Sequence, residues 1–289
     1  MMILIDSGNS RIKLGTFSET AHAARLAAQA VSPDGAAIAA APIGRRDTES
    51  AAFDNTDIAA VDAWLAALPV RPIGAIGVNV AGDKQGDAIA AAFARQGVTV
   101  RWLRAQGEAY GLTNRYAQPQ QLGADRWASL VGVTAHQDFG HGPFLLACFG
   151  TATTLDTVGP DNVFEGGMIL PGPALMKTSL VSGTANLPLA DGAVVDFPTD
   201  THQAIASGVA AAQAGALMRQ WLAGCRHYGQ PPAVFVAGGG WPEVADETRR
   251  LLAEAAAVIH CSVAPIEMLE HPVLDGLAHI AATQAAEVS

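Results

Sequence analysis

Apolar positions open the chain as an unbroken run, Met2-Ile3-Leu4-Ile5, stop at Asp6, and resume in alternation between Arg11 and Phe17. A short apolar run bounded by turn residues predicts a buried strand, and the alternating stretch predicts its hairpin partner. The period then changes. Ile58, Val61, Leu65 and Leu68 recur at helical spacing, which predicts a helix over 57–68 that Pro69 ends. A buried strand follows over 73–80, a helix over 88–95 stopped near Gly97, and a strand over 98–103. The stretch 20–46 is alanine-rich with Pro33-Asp34-Gly35 as a turn signal, and it has room for one or two edge strands.

The polar, turn-rich stretch 107–121 marks a boundary, which divides the chain into domains 1–121 and 122–289. Beyond it the pattern predicts a helix over 122–136 and a buried strand over 144–149. A strand–turn–strand then turns at Gly159-Pro160-Asp161-Asn162, and a helix begins at 174–180. Ile205, Val209, Ala212, Ala216, Trp221 and Leu222 mark the apolar stripe of a long helix over 201–226. A strand over 233–236 runs into Gly238-Gly239-Gly240, followed by a helix over 244–256, a short strand over 258–263 and a terminal helix over 272–286. The two halves resemble each other. ILIDSGNSRIKLG can be laid on LLACFGTATTLDT with Gly8 against Gly150, Asn9 against Thr151 and Asp6 against Cys148, as a duplication would give. Alternating helices and strands with hairpins predict an α/β protein whose mixed sheets are flanked by helices.

Composition narrows the function. The chain has 289 residues, half of them hydrophobic, enough for two cores. Its net charge of −10 argues against broad nucleic-acid binding and gives no support for docking on anionic membranes. Cys148, Cys225 and Cys261 are scattered without CxxC spacing, which fits a reducing compartment. No stretch reaches membrane-spanning length and Asp6 comes too early for a secretory signal, so a cytoplasmic protein is expected.

The turn Asp6-Ser7-Gly8-Asn9-Ser10 is good generic turn chemistry. It is also what a phosphate cradle needs: small residues that let backbone N–H groups approach oxygens, and hydroxyl donors. Gly150–Thr154 repeats the pattern, and two such loops facing each other across an inter-domain cleft would suit a nucleotide. Asp6 would hold Mg²⁺ through water rather than touch phosphate, because Mg²⁺ keeps its waters and takes few carboxylates. Lys13, one of three lysines in the chain, would share a strand face with Arg11. Triple glycine at 238–240 suits either a flat ligand lying on backbone or a tight crossover. Gly172-Pro173-Ala174-Leu175-Met176-Lys177-Thr178 fails as a Walker A loop because Met176 replaces its second glycine, and GxGxxG, HExxH and GxSxG are absent.

In Gly123-Ala124-Asp125-Arg126-Trp127, Asp125 can be an ordinary first-turn acid with Arg126 on the surface and Trp127 in the core. Alternatively Asp125, ionised at neutral pH, is a general base for a substrate hydroxyl attacking a γ-phosphorus, and Arg126 grips a carboxylate.

Taken together, DSGNSRIK, GADRW, GTATTLD, GGMILPG and AGGGW resemble, in order and spacing over nearly the whole chain, the type III pantothenate kinases. These belong to the acetate kinase/sugar kinase/Hsp70/actin superfamily. The resemblance implies two ribonuclease-H-like (actin-like) domains with a cleft between them, a homodimer, and ATP- and Mg²⁺-dependent phosphorylation of pantothenate, the first committed step to coenzyme A. It implies that Asp6, Ser7, Gly8, Asn9, Ser10, Arg11, Ile12 and Lys13 form the first phosphate loop and that Thr151 is an ATP contact. Tyr116, Gly123, Ala124, Asp125, Arg126 and Thr201 become pantothenate contacts, with Asp125 the catalytic base. The family usually carries an Asp two residues before the second loop's glycine, where it binds a monovalent cation, K⁺ or NH₄⁺. Cys148 stands there, and a neutral thiol is a poor ligand for a hard cation, so this site is expected to be weakened or rebuilt, with Asp156 a candidate replacement. Two other functions fit parts of the pattern: a nucleotide-binding regulatory factor of the same family, and a phosphate-ester hydrolase of the superfamily.

Overall fold

The computed structural model describes residues 1–18, 46–47, 50–135 and 142–288. They form two compact units, one of Met1–Phe139 with His271–Ser289 and one of Gly140–Glu270.

In the first unit, β1 (Met2–Ser7), β2 (Arg11–Phe17), β3 (Ser50–Asp54), β4 (Gly74–Asn79) and β5 (Val100–Trp102) form a sheet in the order β3-β2-β1-β4-β5. The β1–β2–β3 pairings are antiparallel, and β4 and β5 run parallel to β1. Ile3, Ile5, Ile12, Leu14 and Ala75 pack one face against Val61 and Leu65 of α1 (Ile58–Ala66) and Ile89 and Phe93 of α2 (Asp83–Arg95). The other face is covered by α7 (Pro272–Val288), whose Leu274 lies 3.3 Å from where a Cβ on Gly15 would stand. α3 (Ala124–Thr134) packs on α7 at a glycine crossing: a Cβ on Gly132 would sit 2.8 Å from the Gly276 nitrogen, and one on Gly276 would collide with the Ala128 carbonyl. This close crossing is why the end of the chain returns to the first unit, so the compact units are cut elsewhere than the sequence boundary at 121/122.

The turn-rich stretch carries a small hairpin, β6 (Glu108–Ala109) with β7 (Leu112–Asn114). Tyr110 and Gly111 at its tip both have positive φ, 55° and 76°, the backbone of a tight two-residue hairpin turn.

In the second unit, β8 (Phe144–Phe149), β9 (Ala152–Val158) and β10 (Val163–Pro171) form an antiparallel meander. β11 (Ala233–Ala237) and β12 (Glu267–Leu269) extend it in parallel from β8. The order β10-β9-β8-β11-β12 and its strand senses repeat β3-β2-β1-β4-β5. Leu145, Ala147, Phe149, Val234 and Val236 pack on α5 (Thr201–Tyr228) and α6 (Trp241–Val258), with Trp221 and Trp241 as the largest core side chains. α5 is capped at both ends. The Asp200 carboxylate accepts from Gln203 N at 2.9 Å, and Gly229 takes the left-handed conformation at φ 67°. α4 (Pro173–Gly183) lies against α5.

The sequence expectations differ from this in three places. The helix predicted over 88–95 starts at Asp83, because its first turn is polar and carries no apolar period. The strand predicted over 258–263 is absent. α6 instead continues to Val258 through its alanines, His260 turns at φ 54°, and the strand forms later at 267–269. β3 was not anticipated, since Ala51-Ala52 carries little strand signal. The expectation for 20–46 lies outside the described residues except at Arg46, whose guanidinium makes a buried 2.6 Å ion pair with Asp275.

Candidate active site

β1 delivers Asp6 and Ser7 to a turn that Gly8 closes by donating its N–H to the Arg11 carbonyl at 3.0 Å. Asp6 is buried and faces its cross-strand partner Lys13, whose Nζ lies 3.5 Å from Oδ2. Burial raises the Asp6 pKa above its ordinary 3.8; the Asp125 charge raises it further, and Lys13 works against both. Asp6 and Asp125 therefore share one electrostatic neighbourhood. Lys13 lies two residues from Arg11 on β2, while Ile12 and Leu14 point into the core. Ile12 can thus meet a ligand only through its backbone.

The turn is braced from outside. Ser7 is fully buried, and its hydroxyl donates to Asn79 Oδ1 at 2.9 Å, so it does not offer that hydrogen to a ligand. Asn79 in turn accepts from Ala81 N and donates to the Gly82 carbonyl, tying the turn to the start of α2. Asn55 donates through Nδ2 to the Asn9 carbonyl at 2.9 Å and through its backbone to the Ser10 carbonyl. Arg11 stays exposed.

Asp125 stands in the first turn of α3, half-buried, with Oδ1 accepting the Arg126 N–H at 2.8 Å. A Cβ on Gly123 would come within 2.6 Å of that Oδ1, so glycine at 123 permits this carboxylate position. Arg126 is buried, which removes the reading of it as a surface residue. Its Nη1 donates to the Tyr116 hydroxyl at 3.2 Å and its guanidinium carbon stands 5.9 Å from the ring centroid. Trp127 is in the core, as expected. The first unit thus gathers Asp6, Lys13 and Asp125 through charge, and Tyr116 with Arg126 through contact.

In the second unit, the turn after β8 is closed by Gly150 N donating to the Ala152 carbonyl at 3.0 Å, and Thr151 is exposed at its tip. Gly172 N donates to the Thr151 carbonyl and Gly240 N to the Phe149 carbonyl, each at 2.9 Å. A Cβ on Gly172 would collide with the Gly150 carbonyl, and one on Gly238, at φ 96°, with that of Phe149. Packing thus accounts for Gly238, as the crossover reading of the triple glycine expects, while a Cβ on Gly239 would meet open space. Cys148 and Asp156 lie two pairs apart on adjoining strands, with Cys148 opposite Thr154 and Asp156 opposite Leu146; Asp156 is buried. Thr201 opens α5 and lines a cavity of about 770 Å³ with Met176, Leu180, Ile205 and Val209.

The bracing roles of Asn55, Asn79 and Asn114 are not among the sequence expectations. For the asparagines the only available signal was their placement at strand ends and turns, where such side chains bond backbone.

Among the described residues no cluster of three or more His, Cys, Asp or Glu could hold a metal on its own. Two neighbouring carboxylates balanced by one ammonium nevertheless fit a hydrated Mg²⁺ that completes its shell with water and phosphate. No helix among the described residues is long and apolar enough to cross a membrane.

A family model described as type III pantothenate kinase matches residues 2–223. A Bordetella pertussis type III pantothenate kinase is 57% identical over 285 residues, covering 99% of each chain. One from Azoarcus is 37% identical over 289 residues, covering 99% of this chain and 93% of its own. Among solved structures, an inorganic polyphosphate/ATP-glucomannokinase from Arthrobacter aligns with TM-score 0.44 at 17% identity, covering 98% of each chain.

Proposed function

The chain belongs to the type III pantothenate kinase family, and we propose that it transfers the γ-phosphoryl group of ATP to the hydroxyl of pantothenate with Asp125 as general base. The observation that carries this reading is the pairing beside Asp125: the next residue, Arg126, is buried and its Nη1 donates to the Tyr116 hydroxyl at 3.2 Å.

In this reading the 6–13 hairpin turn holds the triphosphate. Gly8, Asn9 and Ser10 offer backbone and side-chain donors, while Arg11 and Lys13 offset phosphate charge. Ser7 shapes the turn through its bond to Asn79. Thr151 is a further ATP contact. Tyr116 and Gly123–Arg126 hold pantothenate, with the guanidinium facing its carboxylate. Asp125 accepts the hydroxyl proton as that oxygen attacks phosphorus. Phosphoryl transfer asks mainly for alignment and charge neutralisation, and this set supplies both. Mg²⁺, held by Asp6 through water, would neutralise phosphate charge when bound. Cys148 in place of the family's usual Asp leaves the monovalent-cation site weakened or served by Asp156. Turnover that depends strongly on K⁺ over Na⁺ would contradict the weakened site.

The repeated strand order supports two ribonuclease-H-like domains, one for each phosphate loop. We also propose that the chain works as a cytoplasmic homodimer, with Thr201 serving as the substrate contact from a second copy. The exposed Leu175, Val181, Val194, Val195 and Phe197 on and after α4 support that assembly.

A coupled assay tests the reaction. ADP release that requires pantothenate is expected. Release without pantothenate would mean a hydrolase, and no release would mean a nucleotide-binding regulatory factor.

A further inference from the structure

We propose that Asn114 is a positioning residue for the acceptor half of the reaction, fixing the loop that aims Tyr116 at Arg126; this rests on the reading of Tyr116 and Arg126 as pantothenate contacts. Asn114 ends β7 and is buried. Its Nδ2 donates to the carbonyls of Gln106 and Pro119, each at 3.2 Å. Its Oδ1 accepts the Tyr116 backbone N–H at 3.0 Å, and its own backbone N–H donates to the Gly107 carbonyl at 2.7 Å. An asparagine side chain has two N–H donors and one carbonyl acceptor, so both donors and the acceptor are engaged.

These bonds reach back eight residues and forward five, so one buried side chain ties 106–119 into a closed piece. Tyr116 lies within that piece, its backbone N–H held directly by Asn114. Its hydroxyl then receives Arg126 Nη1 and its ring lies beside the guanidinium. The chemistry specifies an amide. A carboxylate at 114 would face two carbonyl oxygens, a hydroxyl would supply one donor in place of two, and alanine would leave three backbone groups without their partner. The phosphate-side turn is braced by other side chains, Asn79 and Asn55. A loss at Asn114 is therefore expected to fall on one substrate only.

Steady-state kinetics of the full chain test this with Asn114→Ala, Tyr116→Phe and the double variant. Asn114→Ala is expected to raise the KM for pantothenate roughly tenfold, as the loss of more than one hydrogen bond implies, with the KM for ATP within about twofold of wild type. Tyr116→Phe is expected to raise the pantothenate KM by roughly three- to tenfold. The double variant should be no worse than the more damaged single, because both act on one contact. Equal rises in both KM values, or effects that multiply in the double variant, would overturn the proposal. An unchanged pantothenate KM in Asn114→Ala beside a raised one in Tyr116→Phe would overturn the positioning role alone. An unchanged pantothenate KM in Tyr116→Phe would overturn the acceptor assignment beneath it. If Asn114→Ala is not recovered folded, Asn114→Asp, close in volume and still an acceptor for Tyr116 N–H, is judged by the same criteria.

Discussion

The two strand–turn–strand loops occupy equivalent places in sheets of the same strand order, yet they are held by different means. The first, after β1, is braced by side chains, with Ser7 bonded to Asn79 and Asn55 reaching the carbonyls of Asn9 and Ser10. It carries charge, with Asp6 buried against Lys13 and raised in pKa by burial and by Asp125. The second, after β8, is one residue shorter between its closing groups and is held by backbone. Gly172 and Gly240 donate to it, and Gly172 and Gly238 approach it more closely than a Cβ permits. Where the first has Asp6, the second has Cys148. A duplicated frame has thus diverged into a loop that does electrostatic work and a loop whose shape depends on absent side chains.

The largest effect should come from the charged side. Asp125→Asn is expected to lower kcat by roughly 10²–10⁴ with little change in ATP affinity, the usual share of a general base; rapid-quench or coupled kinetics measure it. On the backbone side, Gly172→Ala drives a methyl group into the Gly150 carbonyl, an overpacking that typically costs about 1–3 kcal/mol. A lower Tm and a raised KM for ATP, with the pantothenate KM near wild type, would sharpen the comparison. Unchanged melting and kinetics would break it. Lys13→Ala should raise the KM for ATP roughly tenfold, the order of a charged hydrogen bond. An effect on pantothenate alone would remove Lys13 from the phosphate loop.

The smallest effect is on stability. Because the Asp6 carboxyl is held above 3.8 in the fold, its stabilising contribution is complete below that value and is lost as pH rises through its raised pKa. At neutral pH a carboxyl at this buried position therefore stabilises the fold less than a neutral side chain would. Asp6→Asn, though impaired in turnover, should melt higher at neutral pH, by about 2–4 °C for each 1 kcal/mol recovered. The difference should narrow as pH falls toward 3.8. Thermal melts of both proteins across that range check the sign.

The sequence made the frame legible wherever burial imposes a period. The first hairpin, the buried strands at 73–80 and 144–149, and the helix carrying Asp125 all follow from apolar spacing. It failed where structure depends on something without a period. The polar first turn of α2 and the alanines of β3 carry no stripe, and α6 runs past its expected end because alanine does not discourage helix. The return of α7 to the first unit depends on Gly132 meeting Gly276, a contact separated by 144 residues that no local window holds. The candidate site divides in the same way. Asp6 and Asp125 stand out as charges at the ends of apolar elements, and Lys13 as one of three lysines, on a strand face with Arg11. Asn55, Asn79 and Asn114 do not, because one amide that ties backbone together looks like any turn residue. Arg126 remained ambiguous until its burial against Tyr116 was visible.

The most direct test of the central claim is mass spectrometry of pantothenate after incubation with ATP and Mg²⁺. Wild type and Asp125→Asn would be compared at ATP occupancy equalised by calorimetry. Wild type is expected to convert pantothenate to 4′-phosphopantothenate, while Asp125→Asn binds ATP normally and forms the product at a small fraction of that rate. Product formed by Asp125→Asn at the wild-type rate, or none formed by wild type, would contradict that claim.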